Sequence, residues 1–178
     1  SSEDQWTGVT VSNEERIFVN YPRWSENITM SVGEIINGNT VKPFPNEEWN
    51  TWKPDSSKED HFICVQSVVV DDRNRLWVLD PANPQFQGVV KGGAKLVAFD
   101  LETEEVLKKI VFDSTIVHPN SYLNDVRIDT AKSMAYITDS NDGAIVVVNL
   151  NNGKSRRLID DHYSTEPELP LVINGRLW

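Results

Sequence analysis

The segment Gly8-Val-Thr-Val-Ser-Asn-Glu-Glu-Arg-Ile-Phe-Val19 decides the fold, because the chain contains it more than once. It aligns without gaps on Ser67-Val-Val-Val-Asp-Asp-Arg-Asn-Arg-Leu-Trp-Val78, 59 residues further on. A third copy, Asp125-Val-Arg-Ile-Asp-Thr-Ala-Lys-Ser-Met-Ala-Tyr-Ile137, follows with one inserted residue. An aromatic residue holds the same place in each copy, as Phe18, Trp77 and Tyr136. Self-similarity at a fixed period marks an array of like supersecondary units.

Each copy reads as a β-hairpin. Val9/Val11, Val68/Val70 and Val126/Ile128 alternate along a first strand, a polar turn follows, and a second strand mixes aliphatic and aromatic residues. A second hairpin comes next: Lys95–Leu101, a Glu-Thr-Glu-Glu turn and Val106–Phe112. Its counterpart is Ala144–Leu150, the turn Asn151–Gly153 and Ser155–Ile159. Four short antiparallel strands per roughly 50 residues is the pattern of a β-propeller blade. A sandwich would explain the strands but not the period. The predicted fold is therefore all-β, a β-propeller segment of about three four-stranded blades in one domain. Blade one covers 8–45, an inserted loop 46–65, blade two 66–113 and blade three 124–160, with 161–178 starting the connection to a further blade. No helix of useful length is predicted; Glu102–Lys109 is a turn and strand by register, and Asn46–Asp60 is a polar loop.

Of the 178 residues, 39% are apolar, enough for a core. The net charge of −10 disfavours a nucleic-acid partner. The longest aliphatic run, Ala144–Val148, is far below the ~20 residues of a membrane span. The polar start, Ser1–Gln5, reads as a processed or trimmed end. The single cysteine, Cys64, rules out an internal disulfide and a cysteine-rich zinc site, and its apolar surroundings, Phe62–Val65, predict a buried thiol.

Strand parity locates the functional face. In an up-and-down blade, the loop entering the first strand and the loop joining the second and third lie on one side. Here these are the long segments Pro22–Asn27, Lys42–Gln66, Pro81–Gly93 and Ser114–Asn124, and long loops on a rigid scaffold are where binding resides. Gln66, Asn124 and Asp125 precede or open innermost strands, so they are expected to converge on the axis as ligand-binding residues. An amide oxygen beside a carboxylate suits a hard cation such as calcium, which makes Asn124 and Asp125 candidate metal ligands; the plain alternative is that they cap a turn. Trp24, Phe86 and Tyr122 sit in loops of the same face and are candidates for stacking on an aromatic or amine ligand. Asp80 and Asp139, equivalent in the repeat, read as structural, and Trp77 and Tyr136 as packing between blades.

Other motifs exclude chemistry. His61, His118 and His162 have no metal-ligand spacing, no Gly-x-Ser-x-Gly elbow is present, and Gly88–Gly93 lacks the Gly-Lys-Ser/Thr end of a phosphate loop. Asn27-Ile-Thr29 is a glycosylation sequon.

At Arg16-Ile-Phe-Val-Asn-Tyr-Pro-Arg-Trp24 the chain resembles the Yellow/major royal jelly protein family, here as a microbial member related to dopachrome tautomerases. The resemblance runs through Val41-Lys-Pro-Phe-Pro45, Gln66–Asp80, Lys95–Leu101, Tyr122-Leu-Asn-Asp-Val-Arg-Ile-Asp129 and Ala135-Tyr-Ile-Thr-Asp-Ser140, in the family's order. It implies a six-bladed propeller, a secreted protein, and either binding of biogenic amines or conversion of dopachrome. The chain lacks the paired cysteines of secreted insect members and stops at Leu177-Trp178, where the family continues for about three more blades. Three blades leave open edges, so a second copy, another chain or a missing C-terminal half is expected to complete the ring. Asn124-Asp125 is also similar to the channel Asn-Asp of calcium-dependent propeller lactonases. The leading reading is a propeller that binds a small molecule; the alternatives are a tautomerase or metal-assisted lactonase-like enzyme, and a purely structural secreted protein.

Overall fold

The computed structural model describes residues 5–38, 40–166 and 168–177. Twelve strands form three antiparallel sheets, each in chain order. Blade one comprises β1 (Gly8–Val11), β2 (Ile17–Asn20), β3 (Val32–Ile36) and β4 (Thr40–Pro43). Blade two comprises β5 (Ser67–Val70), β6 (Arg75–Asp80), β7 (Lys95–Asp100) and β8 (Val106–Val111). Blade three comprises β9 (Leu123–Asp129), β10 (Met134–Asp139), β11 (Ala144–Asn149) and β12 (Ser155–Leu158). A small exposed hairpin, β13 (Val172–Ile173) and β14 (Arg176–Leu177), follows.

The repeat is visible in the register. Val11 pairs with Ile17, Val70 with Leu76 and Ile128 with Ala135, so the residue inserted in the third copy lies in its turn. That turn geometry recurs: Glu15, Asn74 and Ser133 each adopt a positive φ, at 61°, 58° and 54°. In the first two copies a side chain at the head of the turn holds the bend, Ser12 Oγ accepting from Glu14 N and Arg16 N, and Asp71 Oδ1 from Arg73 N and Arg75 N.

The sheets fan about a common axis, with β1 against β5 and β5 against β9. Hydrogen bonds between residues about one period apart join them: Thr10 Oγ1 accepts from Val70 N, Asn74 Oδ1 from Asn13 N, and Thr7 Oγ1 donates to Gln66 O. Side-chain alternation divides the apolar residues of blade two between two cores. Leu76, Val78, Val97 and Phe99 pack towards blade one with Phe18 and Val32. Trp77, Leu79, Leu96 and Ala98 pack towards blade three with Leu123, Val126, Ala135 and Ile137. Phe18 and Trp77 thus fill successive interblade spaces. Tyr136, their equivalent, is 37% exposed, because no further blade among the described residues covers that side.

One expectation is corrected. Residues 46–60 are not loop throughout, since Glu47–Asn50 form one helical turn (α1). Asn46 caps it by accepting from Trp49 N, and buried Asn50 ties it to blade one, accepting from Ser31 N and Val32 N and donating to Phe44 O. The polar side chains that suggested a loop are the ones that build the turn.

Candidate binding site at the inner strands

Two buried carboxylates hold the chain where it enters the inner strands. Asp80, at the end of β6, accepts from Ile63 N (2.7 Å), Cys64 N (2.9 Å) and Ala82 N (2.9 Å), and from Lys95 Nζ (2.9 Å). Both side chains of that ion pair are fully buried. Asp139, the repeat equivalent, accepts from Tyr122 N (2.9 Å) and Arg157 Nη1 (2.8 Å). Burial alone would raise its carboxyl, but hydrogen bonds from Ser121 and Arg157 outweigh it and hold the group below its ordinary value. The structural role read from the repeat holds for both, and their cationic partners come from non-equivalent strands.

Cys64 is buried, and burial pushes its thiol up to about 12, with the Asp80 carboxylate adding to the effect. At pH 8 the native protein is therefore expected to leave a thiol-disulfide reagent unreacted until denaturant is added. Stoichiometric reaction of the folded chain within minutes would contradict that placement.

Asp80 thereby holds the segment leading to Gln66, and Asp139 the backbone of Tyr122, two of the six expected ligand residues. Trp24 lies in the loop after β2, Phe86 in a short 3-10 turn (Pro84–Phe86) between β6 and β7, and Gln66 directly before β5. Tyr122 directly precedes β9. Asn124 and Asp125 lie within it, because β9 begins at Leu123, so neither caps a turn. Five of the six form one connected group. Trp24 Nε1 donates to Tyr122 Oη (2.7 Å), Tyr122 Oη donates to Gln66 Oε1 (2.7 Å), and Gln66 Nε2 donates to Asn124 Oδ1 (3.0 Å). Phe86 stacks on both Trp24 and Tyr122, its ring centroid 5.8 Å from the first and 4.9 Å from the second. At those separations no ligand ring fits between the three, and Phe86, 61% exposed, is the most exposed of them.

Two cavities flank the group. A small one, about 90 Å³, lies beside Phe86 and Tyr122 and is lined by Asn83, Asn120 and Asn141. A larger groove, about 470 Å³, runs along the axis over Thr7, Gly8, Gln66, Ser67, Asn124, Asp125 and Arg127.

Asp125 stands apart from the chain of hydrogen bonds. Its Oδ1 receives Ser67 Oγ (3.2 Å), Val126 N (2.9 Å) and Arg127 Nη1 (2.8 Å). Asn124 Oδ1 is already occupied by Gln66. The donor set does not fit calcium: one carboxylate faces an arginine, the amide oxygen is taken, and no group of three or more His, Cys, Asp or Glu able to hold an ion occurs among the described residues. The histidines engage protein partners, His118 Nδ1 lying 2.7 Å from Asp142 Oδ2. Asn27 is exposed on the loop that carries Trp24.

Sequence reasoning missed Arg23, which donates to Ile63 O and Ile28 O behind this face, and Asn83, which joins the loop before Phe86 to Ser121 O. Neither falls in a repeated segment, so no periodic signal pointed to them.

Among the described residues no helix is long and apolar enough to cross a membrane. Among solved structures, virginiamycin B lyase from Staphylococcus aureus, a propeller protein, superposes with a TM-score of 0.53 at 14% identity, covering 88% of this chain and 42% of that one. The dopaminechrome tautomerase of Drosophila melanogaster is 25% identical over 90% of this chain and 36% of its own length. A Yellow-related salivary protein of Lutzomyia longipalpis is 26% identical over 95% of this chain and 45% of its own. The chain thus spans less than half the length of each. The family model described as major royal jelly protein matches residues 63–177, which contain the second and third repeats and both aspartate pins. This propeller segment belongs to the major royal jelly protein family.

Proposed function

We propose that the chain binds a small aromatic molecule on the loop face, with its ring against Phe86 and its polar end in the axial groove. One observation carries this reading: loops from three blades and the start of β9 bring Trp24, Phe86, Tyr122, Gln66 and Asn124 into a single group beside an open groove. Titration calorimetry with indole-bearing ligands tests it. Phe86→Ala, at an exposed position, should weaken binding about tenfold without changing the thermal melt. Equal affinity in that variant, or no binding to the parent chain, would overturn the reading.

A second reading is favoured by the similarity to dopaminechrome tautomerase: proton transfer on such a ring. Asp125, whose side chain is about half exposed in the groove, is the carboxylate placed to act there. Decay of dopaminechrome catalysed by the chain and lost in Asp125→Asn would support it.

Royal jelly and salivary proteins among the relatives support secretion. Exposed Val9 and Val11 on one outer side, and Tyr136 and Leu158 on the other, support closure of the ring by a second copy, another chain or further blades of a longer protein.

A further inference from the structure

The hydrogen-bond chain across the site has a direction, and that direction selects the ligand. An indole N–H can only donate, so Trp24 makes Tyr122 Oη an acceptor and leaves the phenol's own hydrogen to donate, with Gln66 and the Cys64 thiol as its further neighbours. That hydrogen goes to Gln66 Oε1, the stronger acceptor, 2.7 Å away, which orients the Gln66 side chain with Oε1 towards Tyr122 and Nε2 towards Asn124. Asn124 in turn is held with Oδ1 on Gln66. Its Nδ2 has no protein partner among the described residues and is not shut away from solvent. A donor on blade one thereby fixes which atom blade three offers to the groove.

The groove beside Asn124 adds to the same preference. Arg127, 72% exposed along its side chain, shares the Asp125 carboxylate and neutralises it. The hydroxyl of Ser67 donates to Asp125, and that of Thr7 donates to Gln66 O. Asn124 Nδ2 and the outer nitrogens of Arg127 are left as donors, and Asp125 Oδ2, on the carboxylate paired with that arginine, as an acceptor.

Resting on the aromatic-binding reading above, we propose that the polar end of the ligand is an acceptor oxygen, a carbonyl or carboxylate received by Asn124 Nδ2, and not an amine or a metal ion. Trp24 is the positioning residue that sets this preference from a distance.

The test compares two probes that share a ring and differ at the end, indole-3-acetate and tryptamine, titrated into the full chain. The parent chain should bind indole-3-acetate about tenfold more tightly, as a hydrogen bond to a charged acceptor warrants. Asn124→Asp, which keeps the acceptor for Gln66 but turns an oxygen to the groove, should reverse the order. Trp24→Phe keeps the stack but removes the directing N–H; it should bring the two affinities within about threefold while binding persists. Circular dichroism and thermal melts confirm that the variants fold, and either variant alone suffices. Preference of the parent for tryptamine, or a preference unchanged in a folded variant, would overturn the inference and leave aromatic binding standing. Absence of binding by both probes at millimolar concentration would overturn both.

Discussion

Asp80→Ala is expected to destabilise the protein by about 3–5 kcal/mol, the cost of leaving a buried charge without its partner. Lys95 Nζ would retain only Gly93 O, 3.1 Å away, in a site from which water is excluded. The same change orphans three backbone N–H groups, of Ile63, Cys64 and Ala82, each buried. Lys95→Met should cost less, because Asp80 would keep those three donors. The double variant should be more stable than Asp80→Ala alone, since it removes the stranded ammonium. Urea denaturation of the three variants measures all of this. A loss below 1 kcal/mol for Asp80→Ala would mean the carboxylate is not the pin described. Because Asp80 fixes the segment that runs into Gln66, the single variant should also weaken binding in the groove.

Phe99→Ala should be nearly as damaging, at about 3–5 kcal/mol by the transfer and cavity costs of a buried phenyl ring. Phe99 is fully buried and is the hub of an edge-to-face cluster, with centroids 5.6 Å from Phe44, 5.3 Å from Trp49 and 6.0 Å from Phe62. Those three rings come from β4's flank, from α1 and from the loop before β5, so the cavity would loosen the insert as well as the space between blades one and two. Phe99→Leu, which refills much of the volume, should lose less than half as much. Tyr136→Ala supplies the contrast: its side is uncovered, and a surface truncation there should stay within about 1 kcal/mol. Equal losses at Phe99 and Tyr136 in chemical denaturation would contradict the two-core description.

Much of the fold was legible in sequence because a blade is a local object. Short hairpins with period-two alternation, Val68/Val70 against Leu76/Val78, register themselves once the turn is placed, and the recurrence of Phe18, Trp77 and Tyr136 identifies the blades as equivalent. Helix α1 was not legible: four residues carry no periodicity, and it is held by Asn50 reaching across to Ser31 and Val32. In the candidate site, parity brought Gln66 and Asn124 to the axis, but it could not say what their atoms do. Asn124 and Asp125, the expected cation ligands, face protein donors that parity could not reveal: Arg127, two residues along the same strand, bonds Asp125 Oδ1, and Gln66, from another blade, bonds Asn124 Oδ1. Likewise, parity placed three aromatic residues in loops of one face as candidates for stacking on a ligand, but it could not show that Trp24, Phe86 and Tyr122 also stack on one another. Pairings such as Asp80 with Lys95 and Asp139 with Arg157 share a function but not a repeat position, so periodicity marks the acids and leaves their partners unmarked.

Loops of blades one and three meet through Trp24 and Tyr122, 98 residues apart, and the site depends on that contact. Nitrogen-15 correlation spectra resolve indole N–H signals directly, and the chain has six tryptophans to assign. The Trp24 indole N–H should be shifted downfield and protected from solvent exchange. In Tyr122→Phe it alone among the indoles should lose that protection, while the Trp77 signal, bonded to Asp71 Oδ2 in blade two, stays unchanged. A Trp24 N–H that exchanges at the rate of free indole in the parent protein, or one indifferent to loss of the Tyr122 hydroxyl, would contradict it.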